Sequence, residues 1–335
     1  MARTRIEDLE AKLAKSERQS GPDDPATQEA RVRLALAYRE RNRDEEAVAE
    51  LQRVVLLHDA TLGAGHPDTL SAKHELALSY FHMSIGNDNP AWLSDAVATM
   101  ELAADGRLSA LGPAHPDTLA SWESLALLYS RAGQDDRGRM LRERVAAGWE
   151  RVVAEQERQL GPDEPDTQVS RIRLAGAYLI LGRADDERII RERVIESWGR
   201  LAAARSRLLG PAHPETVDAR EHHAYCHRQV GRRDDEVALI EQIAADCERL
   251  LGPGDPRALR ALARLALTYG DGAYDSPAAI TLGERIIGDA YGALGPDDDD
   301  VRALHARLVV SYAQTGRIDE AHALHARFPM PDELE

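Results

Sequence analysis

One phrase recurs along the chain and fixes what it can fold into. It reads GPDDPAT from Gly21, LGAGHPDT from Leu62, LGPAHPDT from Leu111 and LGPDEPDT from Leu160. It returns as LGPAHPET from Leu209, LGPGDPRA from Leu251 and LGPDDDD from Leu294. Its glycines, Gly21, Gly63, Gly112, Gly161, Gly210, Gly252 and Gly295, are spaced by 42, 49, 49, 49, 42 and 43 residues. Such a period marks a small structural unit stacked on copies of itself. Glycine after an apolar residue ends a helix, because it takes positive φ without steric cost. The proline that follows cannot continue one. Thr27, Thr69, Thr118, Thr167 and Thr216 then stand as N-cap candidates for the next helix. The phrase is a rigid interhelix loop. His66, His115 and His213 lie on separate loops, which argues against a shared catalytic or metal site.

Two helices fit between successive loops. Seventeen residues after each glycine come Tyr38, Tyr80, Tyr129, Tyr178, His227, Tyr269 and Tyr312. Four places earlier stand Leu34, Leu76, Leu125, Leu174, His223, Leu265 and Leu308, each followed by Ala or, once, Val309. Leu, Ala and Tyr at i, i+1 and i+4 form one helix stripe, and the small residue lets a neighbour approach closely. A turn follows, as in GRADD at Gly182, and then a second amphipathic helix such as DEEAVAELQRVVLLHDATL from Asp44.

These residues resemble the tetratricopeptide repeat. The Leu-Ala-x-x-Tyr run, the turn glycine, Ala47 and Ala321 in the second helix, and Trp122 in the first match its pattern. The 42-residue period and the Leu-Gly-Pro-x-His-Pro-Asp-Thr loop resemble the kinesin-light-chain type, which is widespread in bacteria. The expected fold class is all-α: a right-handed α-solenoid of helix-turn-helix repeats. Residues 1–20 would be an N-terminal cap helix, with Ile6, Leu9 and Leu13 on one face. Residues 21–335 would form seven repeats, starting at about 21, 63, 112, 161, 210, 252 and 295. The acidic PMPDELE tail would help cap the other end.

Composition narrows the function classes. Lys and Arg number 42 against 58 Asp and Glu, a formal charge of −16, so a nucleic-acid footprint is not expected. No apolar run approaches the ~18 residues of a membrane span, and MARTRIEDLEAKLAKSERQ lacks the apolar core of a secretory signal. Two cysteines make no disulfide framework. A cytoplasmic location is the expectation. No phosphate-binding loop or nucleophile elbow is present. The sequence thus points to a protein that is not an enzyme and needs no cofactor.

The repeats depart from one another in places. Arg137, Glu187 and Glu236 are read as replacing the second-helix alanine, which would loosen or shift local packing. Three repeats carry seven extra residues. In the second they read as a loop, SIGNDNP at Ser84–Pro90; in the third and fourth they lengthen the second helix, where Trp149 and Trp198 hold equivalent places. The two tryptophans either pack into the core or against each other, or form a partner-binding ridge on the outer face. The stretch REHHAYCHRQ puts His222, His223, Cys226 and His227 together, with His223 and His227 on the apolar Leu and Tyr places. Histidines at i and i+4 can share a metal. Acidic or arginine neighbours that satisfy the imidazoles are the plainer reading, and no metal is expected.

The resemblance implies that first helices line a concave groove. Transferred place by place, its lining is Glu29, Val32 and Leu36, then His74, Leu78 and Phe81, then Glu123, Leu127 and Arg131. Val169, Ile172, Leu179 and Ile180 continue it, followed by Asp218, Glu221, Tyr225 and Arg228. This groove would be apolar in the middle and charged at its ends. It suits a protein partner or an extended or helical peptide with apolar anchors. The Lys and Asn places of a carboxylate clamp hold Val32, Leu36, Ile172 and Gly176, so no such clamp is implied. The expected function is a non-catalytic interaction scaffold. A ligand- or peptide-sensing regulator is the alternative, and a metal-dependent protein at the histidine cluster is a third.

Overall fold

The computed structural model describes residues 2–86, 89–271 and 276–330, with residues 2–5 described by backbone alone. The described residues are helical or in turns, with no strand among them. They fall into two compact units. The first runs to Gly161 and also takes Val169–Arg188; the second takes Pro162–Gln168 and the chain from Ile189 onward.

The first unit contains α1 (Ala2–Ser20), α2 (Pro25–Glu40), α3 (Asp44–Thr61), α4 (Pro67–Gly86), α5 (Pro90–Leu111), α6 (Pro116–Arg131) and α7 (Asp135–Gln159), together with most of α8 (Pro165–Ile180). The second contains most of α9 (Ala184–Leu209), then α10 (Pro214–Gln229), α11 (Arg233–Leu251), α12 (Pro256–Gly270), α13 (Pro277–Leu294), α14 (Asp299–Gln314) and α15 (Ile318–Arg327). Within each unit helices pack chiefly on their neighbours in sequence. Turns as short as Arg41–Arg43 make such neighbours antiparallel.

The recurring phrase builds the turns as its chemistry requires. All seven of its glycines have φ between 85° and 109°, a region that other residues avoid. The caps differ from expectation. Where the phrase has a second proline, the helix starts on it, because its fixed φ suits the first helical position. The capping residue is therefore the one before it. Asp24 accepts the Ala26 N–H at 3.0 Å and Asp255 the Arg257 N–H at 2.9 Å. His66 and His115 do the same through Nδ1, at 3.2 Å from the Asp68 and Asp117 N–H groups. The five threonines lie inside the first turn and are fully buried.

The Leu-Ala-Tyr stripe is buried where it was expected. Leu34, Ala35, Tyr38, Leu125, Ala126, Tyr129, Leu174, Ala175 and Tyr178 all belong to the core. Each of six tyrosines also reaches a residue 28 places earlier. Tyr38, Tyr129, Tyr178, Tyr269 and Tyr312 donate to Glu10, Glu101, Glu150, Glu241 and Glu284 at 2.5–2.9 Å. Tyr80 instead accepts from Gln52 at 2.7 Å. Arg43, Arg137, Arg183 and Arg317 cover the Tyr38, Tyr129, Tyr178 and Tyr312 rings at 4.1–4.4 Å. Burial first, then the carboxylate, pushes the Tyr38, Tyr178, Tyr269 and Tyr312 hydroxyls up to about 12. Tyr129→Phe should cost about 1 kcal/mol, the worth of one hydrogen bond to a half-exposed carboxylate. Urea denaturation of wild type and variant checks it, and an unchanged midpoint would show the bond to be idle.

A second repeated contact joins basic residues ten places after the glycine to acids fourteen places before themselves. Lys73 meets Asp59 at 2.8 Å and Arg171 meets Glu157 at 2.6 Å, while Arg31 holds both Glu17 and Glu50. Arg31 thus ties α1, α2 and α3 together. Ile6 and Leu13 of α1 are buried against Leu34, Ala37 and Tyr38.

Three local expectations need correction. The small residue in the third repeat is Gly138, one place after Arg137; its Cβ would lie 3.0 Å from the Ala126 carbonyl oxygen. Glu236 fills the alanine place by pairing with Arg233 at 2.8 Å, so the site is buried rather than loose. Ser84–Gly86 extend α4 instead of forming a loop. Asn87 and Asp88, like residues 331–335 of the tail, lie outside the described residues. The lengthened second helices are α7, with 25 residues, and α9, with 26.

Candidate functional site

The residues expected to line a groove sit on first helices in both units. In the first unit five apolar side chains of this set stay exposed. Leu127 on α6 and Val169, Ile172, Leu179 and Ile180 on α8 are 45–63% exposed. Val32, Leu36, Leu78 and Phe81 are half-buried. Glu29 is exposed beside Arg33, Arg131 is exposed, and Glu123 accepts the Trp149 Nε1–H at 3.2 Å.

His74 is not a free groove residue. Its Nδ1 lies 3.2 Å from both Arg107 Nη1 and Ser121 Oγ. Arg107 itself is buried and also donates to Ser121 Oγ at 2.8 Å and to the Asp117 carbonyl at 3.2 Å. The imidazole thus links α4, α5 and α6. Burial, and then the Arg107 charge, push it down to about 4.

Glu29 and Val32 also line a cavity of about 480 Å³ between α2, the end of α3 and α4. Gln28 and His58 line it too, and sequence reasoning missed both. A signal for Gln28 was present. It sits seven places after Gly21, where Leu70, Leu119 and Leu259 are buried in their own repeats.

In the second unit Glu221, Tyr225 and Arg228 line a cavity of about 320 Å³ with Arg264, Thr268 and Asp271. Its charges are paired. Arg228 meets Asp271 at 2.5 Å, and Arg264 holds Glu221 and, at 3.3 Å, Asp300. Burial raises the Glu221 carboxyl above the usual carboxylate range despite Arg264. Burial opposes the Arg264 charge, but Glu221 and Asp300 outweigh it and raise its pKa. Asp218 is exposed, and its carbonyl accepts from His222 Nδ1 at 2.7 Å.

The histidine cluster divides. His222 stacks on Trp198 with ring centres 4.5 Å apart. His223 and His227 face each other, Nε2 to Nε2, at 3.2 Å, and His227 Nδ1 lies 3.3 Å from Asp235. Cys226 and Cys247 are free and buried, and burial pushes the Cys226 thiol up to about 11. Among the described residues no group of three or more His, Cys, Asp or Glu is placed to hold a metal ion. The outer tryptophan ridge is also corrected. Trp149 and Trp198 are both buried, Trp149 against Glu123 of α6 and Trp198 against His222 of α10. Among the described residues no helix is long and apolar enough to cross a membrane.

The tetratricopeptide repeat family matches residues 27–68, which span α2 and α3 and the next interhelix loop. The same places recur in the other helix pairs, with His223 and His227 for Leu and Tyr in the fifth and Val309 for Ala in the seventh. The chain thus carries a tetratricopeptide repeat at residues 27–68. Its repeats are similar to a solved structure of nearly identical TPR-like repeats of a putative kinesin light chain from Podosopora anserina. That structure is 26% identical, with 68% of this chain and 97% of that chain covered and a TM-score of 0.41. BtubC (BKLC) from P. vanneervenii is 13% identical over 75% of this chain and 93% of its own, with a TM-score of 0.45. The apo quorum sensor NprR from B. thuringiensis is 12% identical over 97% of this chain and 82% of its own, with a TM-score of 0.40. No curated protein matches the chain.

Proposed function

We propose that this repeat protein is a non-catalytic scaffold that binds a peptide segment of a protein partner on its first-helix faces. The observation that carries this reading is the exposure of the apolar side chains Leu127 on α6 and Val169, Ile172, Leu179 and Ile180 on α8. Core demands do not explain it, since the stripe that packs the repeat, such as Leu174, Ala175 and Tyr178, lies on the other side of α8 and is already buried. Exposed apolar patches with polar surroundings mark interaction surfaces. Burying one such side chain in a complex contributes about 1.5–3 kcal/mol, so two anchors supply a useful part of a micromolar affinity.

Leu127→Asp combined with Ile172→Asp tests this. Both residues are half exposed, so the helices should persist by circular dichroism. Peptides selected on the wild-type protein from a displayed library should bind the double variant at least about tenfold more weakly. Equal binding to both proteins would remove the site from this face.

A further inference from the structure

We propose that the cavity between α2, α3 and α4 receives an arginine side chain of the bound peptide, flanked by apolar residues. The inference rests on the peptide-binding reading above and specifies the chemistry of the partner.

The cavity has an apolar lining and an acidic rim. Val32, Leu57 and Leu62 supply apolar surface, and Asp23, Glu29 and Asp68 supply carboxylates. Glu75 also lines it, but Arg39 already faces that carboxylate at 2.9 Å, and Arg33 shares the exposed Glu29 carboxylate at 2.5 Å. No Lys or Arg is among the lining residues. At about 480 Å³ it falls within the roughly 300–1,000 Å³ of ordinary ligand sites.

Two buried polar atoms in its wall lack a partner. Gln28 is 5% exposed, and its Nε2 is spent on the Pro22 carbonyl; its Oε1 has no hydrogen bond. His58 Nδ1 is buried and equally unpartnered. Leaving a buried amide oxygen unpaired is unfavourable. Leucine fills the same repeat place at Leu70, Leu119 and Leu259, so packing alone does not call for glutamine. Gln168 holds that place in the fourth repeat and also donates to its loop carbonyl, at Pro162. Tying down the loop thus accounts for the amide nitrogen, and the oxygen of Gln28 is left unpaired within the cavity wall.

The missing partner must donate, because the amide oxygen and the rim carboxylates accept. A guanidinium carries five N–H donors and no acceptor, and its stem is apolar. It can meet the amide oxygen and a carboxylate together, which a single point charge does less well. The chain's net charge of −16 draws a cationic segment toward it.

The test uses the full chain and short end-capped peptides that differ only at one central residue: arginine, norleucine or glutamate. Fluorescence anisotropy should show the arginine peptide binding at least about tenfold more tightly than the norleucine peptide, with the glutamate peptide weakest. Raising the salt should narrow the difference. Gln28→Leu restores the residue of three other repeats, so it should fold, yet it should lose most of the arginine preference. Glu29→Gln with Asp68→Asn should do the same from the exposed rim. Equal binding of the arginine and norleucine peptides overturns the proposal. So does an arginine preference that survives both variants, or free arginine amide binding as tightly as the peptide. If library peptides still depend on Leu127 and Ile172 while no arginine preference exists, only this inference falls. If no peptide binds at all, the peptide-binding reading falls with it.

Discussion

Lowering the pH from 7 to 4 should cost the first unit about 3 kcal/mol through His74 alone, and His74→Gln should remove that loss. The imidazole accepts at Nδ1 from Arg107, which can only donate. It must therefore be neutral, and a proton would set two cations side by side in a buried place. Burial comes first among the causes that bring its pKa to about 4; Arg107 and Arg39 lower it further, while Glu75 and Asp117 oppose them. The unfolded chain takes up this proton near 6.5 and the folded chain only near 4. Between those values the unfolded state binds more protons, so stability falls as the pH falls. His223 and His305 are lowered in the same direction by burial and by His227 and His325, but they lie in the second unit. Urea denaturation followed by tryptophan fluorescence at pH 7, 5.5 and 4 isolates the His74 contribution as the difference between wild type and variant. The amide introduced by His74→Gln keeps an acceptor for Arg107 without titrating. Parallel pH curves for the two proteins would refute the assignment.

The repeat made much of the fold legible and little of the site. Gly-Pro phrases and the Leu-Ala-Tyr stripe are local signals, and they mark turns and buried faces directly. The caps were misread because a proline at the first helical position moves the cap to the residue before it, from threonine to Asp24 or His115. The tyrosine latch was within reach of the period. Glu10, Glu101, Glu150, Glu241 and Glu284 stand 28 places before their tyrosines, but only the packed helices show that the pairs meet. The same spacing accounts for the odd fifth repeat. There His227 replaces tyrosine and Gly199 replaces glutamate. A Cβ on Gly199 would lie 3.2 Å from His223 Nε2, so the glycine makes room for the imidazole that replaces leucine. The histidines that look like metal ligands in the sequence are thus part of one coordinated packing change. The exposure of Leu127 and Ile172 was legible because they fall outside the buried stripe. The cavity beside Gln28 was not, since it is built from three helices and no single stretch contains it.

Leu119→Ala should destabilise the first unit by about 3–5 kcal/mol, and the effect of Gly148→Ala should change sign in its presence. Leu119 on α6 is fully buried and packs over Gly148 on α7. A Cβ at Gly148 would stand 2.3 Å from Leu119 Cδ2 and 3.1 Å from the Pro113 carbonyl oxygen. Gly148 sits within a regular helix, so closeness of approach, not backbone freedom, is what demands glycine here. In the wild-type background Gly148→Ala gains about 1 kcal/mol of helix propensity but forces an overpacked contact costing about 1–3 kcal/mol. With Leu119 cut back to alanine the side-chain clash is gone. Only the Pro113 carbonyl still crowds the new methyl, so the propensity gain should dominate and part of the cavity should fill. The expected coupling is about 1–3 kcal/mol, read from urea midpoints of the four proteins in the cycle. Gly106 repeats the arrangement under Leu70, with a Cβ distance of 2.3 Å, and the corresponding cycle there should give a coupling of the same sign. Additivity within about 0.5 kcal/mol at both sites would mean that the helices separate freely, and that close packing through glycine is not what holds these pairs together.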